Sequence, residues 1–255
     1  MLRRVSLLAV VALLLSLGVP GGVGRAAPHQ RASDQYGLFL NILPSGQGKS
    51  VNAEEAALFE ATGQYPAHFI DQLGMYDSLP TQVDQVTDDN LTSYFKQESF
   101  GVDPGSVERT ETPKAGVTIQ WDTFGVPHIT GDTRDDAMFG VGYASAEDRL
   151  FMMDALRYVG RGRLSEFTGP TEANFAMDRA TYLAAGYSED ELNAQVRRLL
   201  RYGAMGRQIL QDGRQYIAGI NQRVDEDVAD PNELPAEYAA LQIVPQHWVD
   251  RKSVV

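Results

Sequence analysis

The 255-residue sequence contains no cysteine. Without cysteine the chain can form no disulfide, offers no thiolate nucleophile and cannot build a zinc site from thiolate ligands. A lipid anchor on an N-terminal cysteine is excluded for the same reason. The stability of the folded chain must therefore come from packing, for which a hydrophobic content of 43% is sufficient.

Basic residues are scarce, since 22 lysines and arginines stand against 34 aspartates and glutamates, and the net charge is -12. An acidic surface repels phosphate backbones, so the composition argues against a nucleic-acid partner. Histidine is also rare. The four histidines are His29, His68, His128 and His247. They show no metal-ligand spacing such as His-Glu-x-x-His, so no metal-binding residue is predicted among them.

Long hydrophobic runs are missing except near the N terminus, where Arg3 and Arg4 precede an apolar stretch over residues 5–17. This stretch is shorter than the roughly 20 residues of a membrane-spanning helix, and small residues follow it. The layout predicts a signal peptide, residues 1–26, cleaved after Ala26. Its removal takes away three arginines and changes the net charge from -12 to -15. The mature protein is expected to be secreted or periplasmic, with no membrane contact.

Residues 27–113 are predicted to form an N-terminal extension and linker. Asn52 followed by Glu55 is typical of a capping box, and it predicts a short helix that ends at Gly63. A second short helix is predicted over residues 88–101. Proline and glycine then favour an irregular linker up to residue 113.

Residues 114–255 show the periodicities of a mixed α+β region. Residues 117–121 alternate as a β-strand does, and residues 126–129 supply a second strand, so a hairpin is expected. Thr133 predicts the start of a long helix that reaches about Arg157. The buried stripe of this helix is predicted from helical spacing: Met138, Gly142, Ala146, Leu150, Met153 and Leu156.

A further helix is predicted to begin at Ser188, which with Glu191 forms a second capping box. Gly203 and Gly206 are expected to interrupt the helical pattern, which then continues toward Asp230. The residues expected to face inward from the first of these helices are Leu192, Val196, Leu199 and Leu200.

Asp148 and Arg149 lie inside the predicted long helix, among apolar residues. Buried charges are tolerated when they are paired and hydrogen-bonded, so each of the two should have a fixed partner. A structural ion-pair network is the interpretation that the residues themselves favour. Tyr143, one helical turn earlier, is expected to pack in the core.

Other residues that could carry chemistry give weaker signals. His128 lies between apolar neighbours and is interpreted as a satisfied core imidazole. The sequence has no Gly-x-Ser-x-Gly elbow that would mark a serine nucleophile. Arg157, Arg161 and Arg163 either complement the C-terminal dipole of the long helix or recognise a carboxylate. Gly140 and Gly142 favour close approach of another element, and they do not form a dinucleotide fingerprint.

Three groups of motifs stand out: Asp122-Thr-Phe-Gly-Val-Pro-His-Ile129, Gly142-Tyr143 with Ala146-Glu-Asp-Arg-Leu-Phe151, and Leu234-Pro-Ala-Glu-Tyr238 with Pro245-Gln-His-Trp248. Together they resemble the α-subunit region of the penicillin acylase family. These proteins are N-terminal-nucleophile amidases, made as one precursor and cut into two chains. The resemblance covers roughly residues 116–248, and it implies the helix-rich α-subunit part of a four-layer αββα fold.

The resemblance also implies how the chemistry is divided. In the family, a serine that becomes the first residue of the β-chain is the nucleophile, and its own α-amino group is the base. No catalytic, cofactor-binding or metal-binding residue is therefore expected in this chain, and its partner is the downstream β-subunit segment. Tyr143, Asp148 and Arg149 are the residues that the resemblance places near the pocket or its scaffold. The implied substrate is a small linear amide, and the full-length enzyme is expected to bind one structural calcium.

Two readings remain open beside a truncated amidase precursor. An exported, non-catalytic binding module could retain the same fold. A trypsin-like or esterase-like hydrolase complete in 255 residues would need a nucleophile motif that the sequence lacks. The downstream reading frame distinguishes the first two, because a Ser, Thr or Cys at an excision boundary indicates the enzyme and a stop codon after Val255 indicates the module.

Overall fold

The computed structural model describes residues 49–70, 82–94, 102 and 104–248. This part of the chain is a helix-rich α+β structure with one small antiparallel sheet, which confirms the predicted class. The strands are β1 (Val107–Glu111), β2 (Val117–Asp122) and β3 (Pro127–Gly131). The helices are α1 (Ala53–Thr62), α2 (Arg134–Gly160), α3 (Leu164–Thr168), α4 (Glu172–Ala185), α5 (Glu189–Leu199), α6 (Gly203–Ala229) and α7 (Ala236–Leu241). No helix in these ranges is long and apolar enough to cross a membrane.

The sheet has the strand order β1-β2-β3. The predicted hairpin of β2 and β3 is confirmed, with Ile119 opposite Ile129 and Gln120 opposite His128. Strand β1 is a correction, since residues 107–111 were expected to belong to a linker. This strand has little apolar character and is mostly exposed, so its own pattern does not reveal it, even though its partner β2 follows closely in sequence.

Helix α2 begins where the sequence predicts, because the Thr133 side chain accepts a hydrogen bond from the Asp136 backbone N–H. The helix is not continuous, since Arg149 has non-helical angles of φ -147 and ψ 27 and produces a kink. Gly142, Ala146 and Leu150 of the predicted stripe are buried. Leu156 is 61% exposed, so its placement in the stripe was wrong. Beyond the kink the helix turns a different face inward, and Asp154 is buried there instead.

Two hydrophobic clusters lie on either side of the kink in α2. The first half of α2 packs on the sheet through Val117, Ile119, Trp121, Phe139, Tyr143 and Ala144. The part of α2 from Ala146 onward packs against α3, α6 and α7 through Ala146, Leu150, Phe167, Ile220, Val224 and Tyr238. The core is therefore divided into two parts that share one helix.

Helices α2 and α6 approach each other backbone to backbone. A Cβ atom added at Gly142 would lie 1.9 Å from the carbonyl oxygen of Tyr216, and one at Gly219 would lie 2.0 Å from that of Phe139. Gly140 faces the sheet instead, where an added Cβ would lie 2.6 Å from the Ile129 side chain. Both glycines predicted to permit close approach therefore do so, although against different elements.

Part of the N-terminal extension packs on the main region. The capping box of Asn52 and Glu55 and the end of α1 at Gly63 are as predicted. The Ser50 backbone N–H donates to the Asp148 carbonyl oxygen, and the Ala236 N–H donates to the Val51 carbonyl oxygen. Residues 49–52 thus lie between the kink of α2 and the start of α7. In the helix predicted over residues 88–101, the described residues show a 3-10 turn at Leu91–Ser93, and residues 95–101 lie outside the described part.

Helix α5 opens with the predicted capping box of Ser188 and Glu191. Leu192 is buried as expected, whereas Leu200 is 51% exposed and was placed wrongly. The helical path changes at Gly203, whose φ of 62 lies in the left-handed region that favours glycine. The predicted interruption is confirmed at Gly203, but the one predicted at Gly206 is wrong, because Gly206 is a buried residue inside α6, which continues without a break to Ala229. The predicted signal peptide, residues 1–26, lies outside the described residues.

The close contact of α2 and α6 predicts that Gly142→Ala lowers the free energy of unfolding by about 2–3 kcal/mol, because the new methyl group forces two backbones apart. Urea unfolding followed by circular dichroism measures the change. Gly160→Ala is the matched control, since no atom lies within 4 Å of its added Cβ, and a change below about 1 kcal/mol is expected. Equal stabilities of the two variants would show that a methyl group at residue 142 fits between α2 and α6 without moving either backbone.

Candidate functional site

A polar cleft of about 170 Å³ lies beside the kink of α2. Its walls come from separate parts of the chain: residues 49–55 and 67–68 of the extension, the sheet, α2 and α6. Gly125, in the turn between β2 and β3, faces His68 so closely that an added Cβ would lie 2.8 Å from the His68 Cβ. The extension therefore closes one side of a cleft whose other walls belong to the main region.

Asp148 lines this cleft immediately before the kink. Its backbone carbonyl is released from the helix and accepts the Ser50 N–H. Within the described part of the chain, its carboxylate has no hydrogen bond and no ion pair, so the fixed partner expected from the sequence is not found there. Burial raises the pKa of the Asp148 carboxyl to about 6, although the charges of Arg149, Lys49 and Arg109 act in the opposite direction.

Arg149 is the other residue of the predicted pair. Burial lowers the pKa of its guanidinium, and the neighbouring Asp148 charge opposes that effect. The two side chains therefore interact electrostatically, but no direct ion pair joins them in the described structure. The backbone of Arg149 has a non-helical conformation, which turns α2 next to the Asp148 carbonyl that accepts from Ser50.

Glu147 and Trp121 each leave a buried polar atom unsatisfied at the cleft. One Glu147 oxygen, Oε1, pairs with Arg109 at 2.7 Å, while Oε2 is buried and has no hydrogen-bond partner in the described structure. The Arg109 guanidinium also pairs with Glu111 and lies 4.4 Å from the centre of the Trp121 ring. The Trp121 side chain is 4% exposed, and its Nε1–H finds no acceptor among the described residues.

Arg223 connects the cleft to the buried surface of α6. It pairs with Asp227 at 2.8 Å and with Glu233 at 3.2 Å. Although burial lowers the pKa of Arg223, the nearby carboxylates of Asp227 and Glu147 raise it overall. Burial raises the pKa of Asp227 to about 7. The spacing of four residues between Arg223 and Asp227 is a signal that sequence reasoning could have used, because such pairs share one helix face.

Tyr143 packs in the hydrophobic cluster between α2 and the sheet, as the sequence indicates. Its hydroxyl donates to Glu226 Oε2 at 2.6 Å. Burial and this hydrogen bond raise the pKa of the phenol to about 12, so it stays protonated near neutral pH. Tyr143 therefore joins the core to the polar network of α6, and the structure places Tyr143 and Asp148 on the same helix without direct contact between their side chains.

A second polar cluster, which sequence reasoning missed, is centred on Asp154. The carboxylate accepts hydrogen bonds from Tyr238 Oη at 2.7 Å and Trp248 Nε1 at 2.9 Å, and it pairs with Arg157 at 2.8 Å. Burial raises its pKa, while these partners lower it in part. The side-chain amide of Asn221 holds the Trp248 backbone at both its N–H and its carbonyl. We call these five residues the Asp154 cluster.

The remaining candidates from the sequence have structural partners. The three histidines in the described residues each contact a carboxylate: His68 with Glu108, His128 with Asp122 and His247 with Asp225. His128 is largely buried, which agrees with the core imidazole expected from the sequence. Among the three arginines, Arg157 belongs to the Asp154 cluster, Arg161 pairs with Glu189 and Arg163 pairs with Glu166. Each of these three arginines therefore forms an ion pair with a carboxylate of the chain itself.

The arrangement limits what this region can do chemically. Within the described ranges no group of three or more His, Asp or Glu side chains could hold a metal ion. The serine hydroxyls with described partners, Ser165 and Ser188, donate to carboxylates and not to a histidine base. The cleft thus offers charged and hydrogen-bonding groups for binding, without an arranged nucleophile and base.

The isolated carboxylate of Asp148 predicts that Asp148→Asn stabilises the protein at pH 7.5 by about 2–3 kcal/mol. A folded-state pKa above the unfolded value means that the native state binds the proton more tightly, so stability falls as the pH rises from about 4 to about 6. The benefit of asparagine should therefore shrink toward pH 4. Chemical unfolding at both pH values measures it, and a variant that is less stable than the parent at pH 7.5 would contradict the interpretation.

The Asp154 cluster predicts the opposite result for Asp154→Asn, which should lose about 3 kcal/mol or more of stability. An amide cannot accept from both Tyr238 and Trp248 and also balance the charge of Arg157. Thermal unfolding measures the loss. Asp225→Asn serves as the control, because its pair with His247 is exposed and should contribute less than about 1 kcal/mol. Comparable losses in both variants would mean that the cluster contributes nothing beyond an ordinary surface pair.

The sequence of this chain is similar to those of several known acylases. The chain is 30% identical over 141 residues to penicillin acylase 2 proenzyme of Pseudomonas sp. (strain SE83), which covers 52% of this chain and 16% of that protein. It is 28% identical over 139 residues to penicillin G acylase of Escherichia coli, covering 54% and 15%. A shorter match, 44% over 54 residues, is to acyl-homoserine lactone acylase QuiP of Pseudomonas aeruginosa, covering 21% and 6%. The matched region thus spans about a sixth of these relatives or less.

A solved structure of thermostable penicillin G acylase from Alcaligenes faecalis matches with a TM-score of 0.46 and 26% identity, covering 58% of this chain and 70% of that chain. The penicillin amidase family model matches residues 116–255, which include both strands of the hairpin, the kinked helix α2 and the Asp154 cluster. The chain therefore belongs to the penicillin amidase family.

Proposed function

We propose that this chain is the α-subunit region of an exported amidase precursor that hydrolyses linear amide bonds. The observation that supports this function is the family match over residues 116–255. The role of this region is to build the scaffold, in which α2 packs on the sheet and α6 packs against α2. In the proposed enzyme, this layer is one side of a four-layer αββα fold that the downstream β-subunit segment completes as the heterodimer partner.

The proposed reaction uses a serine at the N terminus of the β-subunit segment. Its hydroxyl adds to the amide carbonyl while its own α-amino group accepts the proton, and preorganised donors stabilise the oxyanion. The amine product then leaves, and water releases the acid from the acyl-enzyme. No bond-breaking role is assigned to the described residues, in keeping with the carboxylate contacts of their histidines.

The proposed substrate is a small linear amide. Two kinds of relatives support this class, since one is a penicillin acylase and another is an acyl-homoserine lactone acylase. Both names describe removal of an acyl group from an amine. The substrate of this protein is therefore proposed to be the side-chain amide of a β-lactam or an acyl-homoserine lactone.

The proposal also includes export of the mature enzyme and one structural calcium ion in the full-length enzyme. Residues 1–26 have the layout of a signal peptide, which would place the mature enzyme in the periplasm or outside the cell. The structural calcium implied by the family has no ligand set in the described ranges, because no suitable group of side chains is found there. No step of the proposed reaction depends on that ion.

The proposal predicts that the complete reading frame containing these codons yields two chains and releases nitroaniline from a phenylacetyl nitroanilide. Residues 27–255 alone should give no turnover, because the nucleophile is supplied by the other chain. Mass spectrometry of the purified enzyme identifies the residue that begins the second chain. Replacing that residue with alanine should abolish both processing and hydrolysis.

Asp225→Asn in the same precursor provides a matched control, since it changes an exposed pair and should leave processing and turnover intact. Hydrolysis by residues 27–255 alone would contradict the proposal that the nucleophile lies on the β-subunit segment. A reading frame without Ser, Thr or Cys at a boundary, or one that stops after Val255, would favour an exported binding module with the same fold.

A further inference from the structure

We propose that the cleft beside the α2 kink binds a small molecule through a primary ammonium group, held by Asp148 and Glu147. This inference goes beyond the amidase function and does not depend on it. The cleft volume of about 170 Å³ exceeds the roughly 10–15 Å³ that one ordered water requires by more than tenfold. It is therefore large enough for an ammonium group with a few attached heavy atoms.

Two carboxylates with unsatisfied acceptor atoms lie on consecutive residues of α2, Glu147 and Asp148. Asp148 has a carboxylate with no donor among the described residues, and Glu147 has a buried Oε2 with no donor. The two carboxylates also raise each other's energy by repulsion, as the effect of Glu147 on Asp148 shows. An ammonium group carries three N–H donors and one positive charge, so it satisfies both acceptors and removes the repulsion.

The cationic side chains of the cleft are already engaged with other carboxylates. Lys49 pairs with Glu55 at 3.1 Å, Arg109 pairs with Glu147 Oε1 at 2.7 Å, and Arg223 pairs with Asp227 at 2.8 Å. Asp148 is the lining carboxylate that has no ion pair among the described residues, although the charges of Arg149, Lys49 and Arg109 also act on it. A ligand cation placed against this carboxylate would be attracted to it.

A metal ion fits the same position less well. Calcium needs about 6–8 oxygen ligands, whereas the described residues bring together no group of three or more side chains able to bind a metal. The nearby Nε1–H of Trp121 is a donor, which would repel a metal and suits an oxygen atom of an organic ligand. Besides these carboxylate acceptors, the lining residues Trp121 and Arg223 each have a buried N–H without an acceptor, at Nε1 and Nε respectively. A small amino alcohol offers both an ammonium group for the carboxylates and an oxygen atom for such a donor.

Isothermal titration calorimetry of the purified chain with ethanolamine at pH 8 tests the proposal. We expect saturable binding with a dissociation constant of about 1 mM, and a chemical shift change of the Trp121 indole N–H in nitrogen-15 spectra. Asp148→Asn should weaken binding at least about tenfold, because it removes the charge that the ammonium requires. This variant is expected to be at least as stable as the parent, so loss of binding would not be a folding defect.

Three comparisons make the result decisive. Glu147→Gln keeps the hydrogen-bonding shape and should weaken binding less than Asp148→Asn does. Asp225→Asn, which changes a carboxylate outside the cleft, should bind like the parent. Tetramethylammonium, which has the charge and no N–H donor, should not compete. Absence of saturation up to about 100 mM, equal binding by Asp148→Asn, or equal affinity for tetramethylammonium would each overturn the proposal.

Discussion

The structure depends on the backbone contact between α2 and α6. The carbonyl of Tyr216 occupies the space where a side chain at Gly142 would stand, and the carbonyl of Phe139 occupies the equivalent space at Gly219. Such reciprocal contacts fix the crossing of two helices at a single register, since neither helix can slide without a backbone clash. The two hydrophobic clusters then form on either side of the kink, and both polar sites lie next to the helix that this contact holds in place.

Burial alone does not decide what a carboxylate contributes to this protein. Asp148 and Asp154 are both in α2, and burial raises the pKa of each. Asp154 receives two hydrogen-bond donors and an arginine, so the surrounding elements offset part of the cost of removing its charge from water. Asp148 has no such donors in the described structure and faces a cleft. A charge left without partners lowers stability, which is the pattern expected where a site serves binding instead of folding.

The parts of the fold that were predictable from the sequence are those determined by neighbouring residues. The caps at Asn52, Thr133 and Ser188 involve residues three positions apart, and the hairpin follows from alternation within a few residues. The kink at Arg149 lies where the Asp148 carbonyl accepts from Ser50, a residue far away in sequence. Strand β1 is close to its partner β2 in sequence, but its mostly polar and exposed residues show no alternation that would reveal it. The candidate site was predictable only in part. Asp148 could be noted as a charge in an apolar helix, but its neighbours in the cleft come from segments far apart in sequence.

The Asp154 cluster also determines where the chain runs after α7. Asn221 holds the peptide group of Trp248 by two hydrogen bonds, and Asp154 holds its indole, so both the backbone and the side chain of that residue are fixed. The two anchors are on different helices, α6 and α2, whose relative position is set by their glycine contact. A shift in the helix crossing therefore moves Trp248 directly. The position of Trp248, which lies outside both helices, is thus coupled to the packing of α2 against α6.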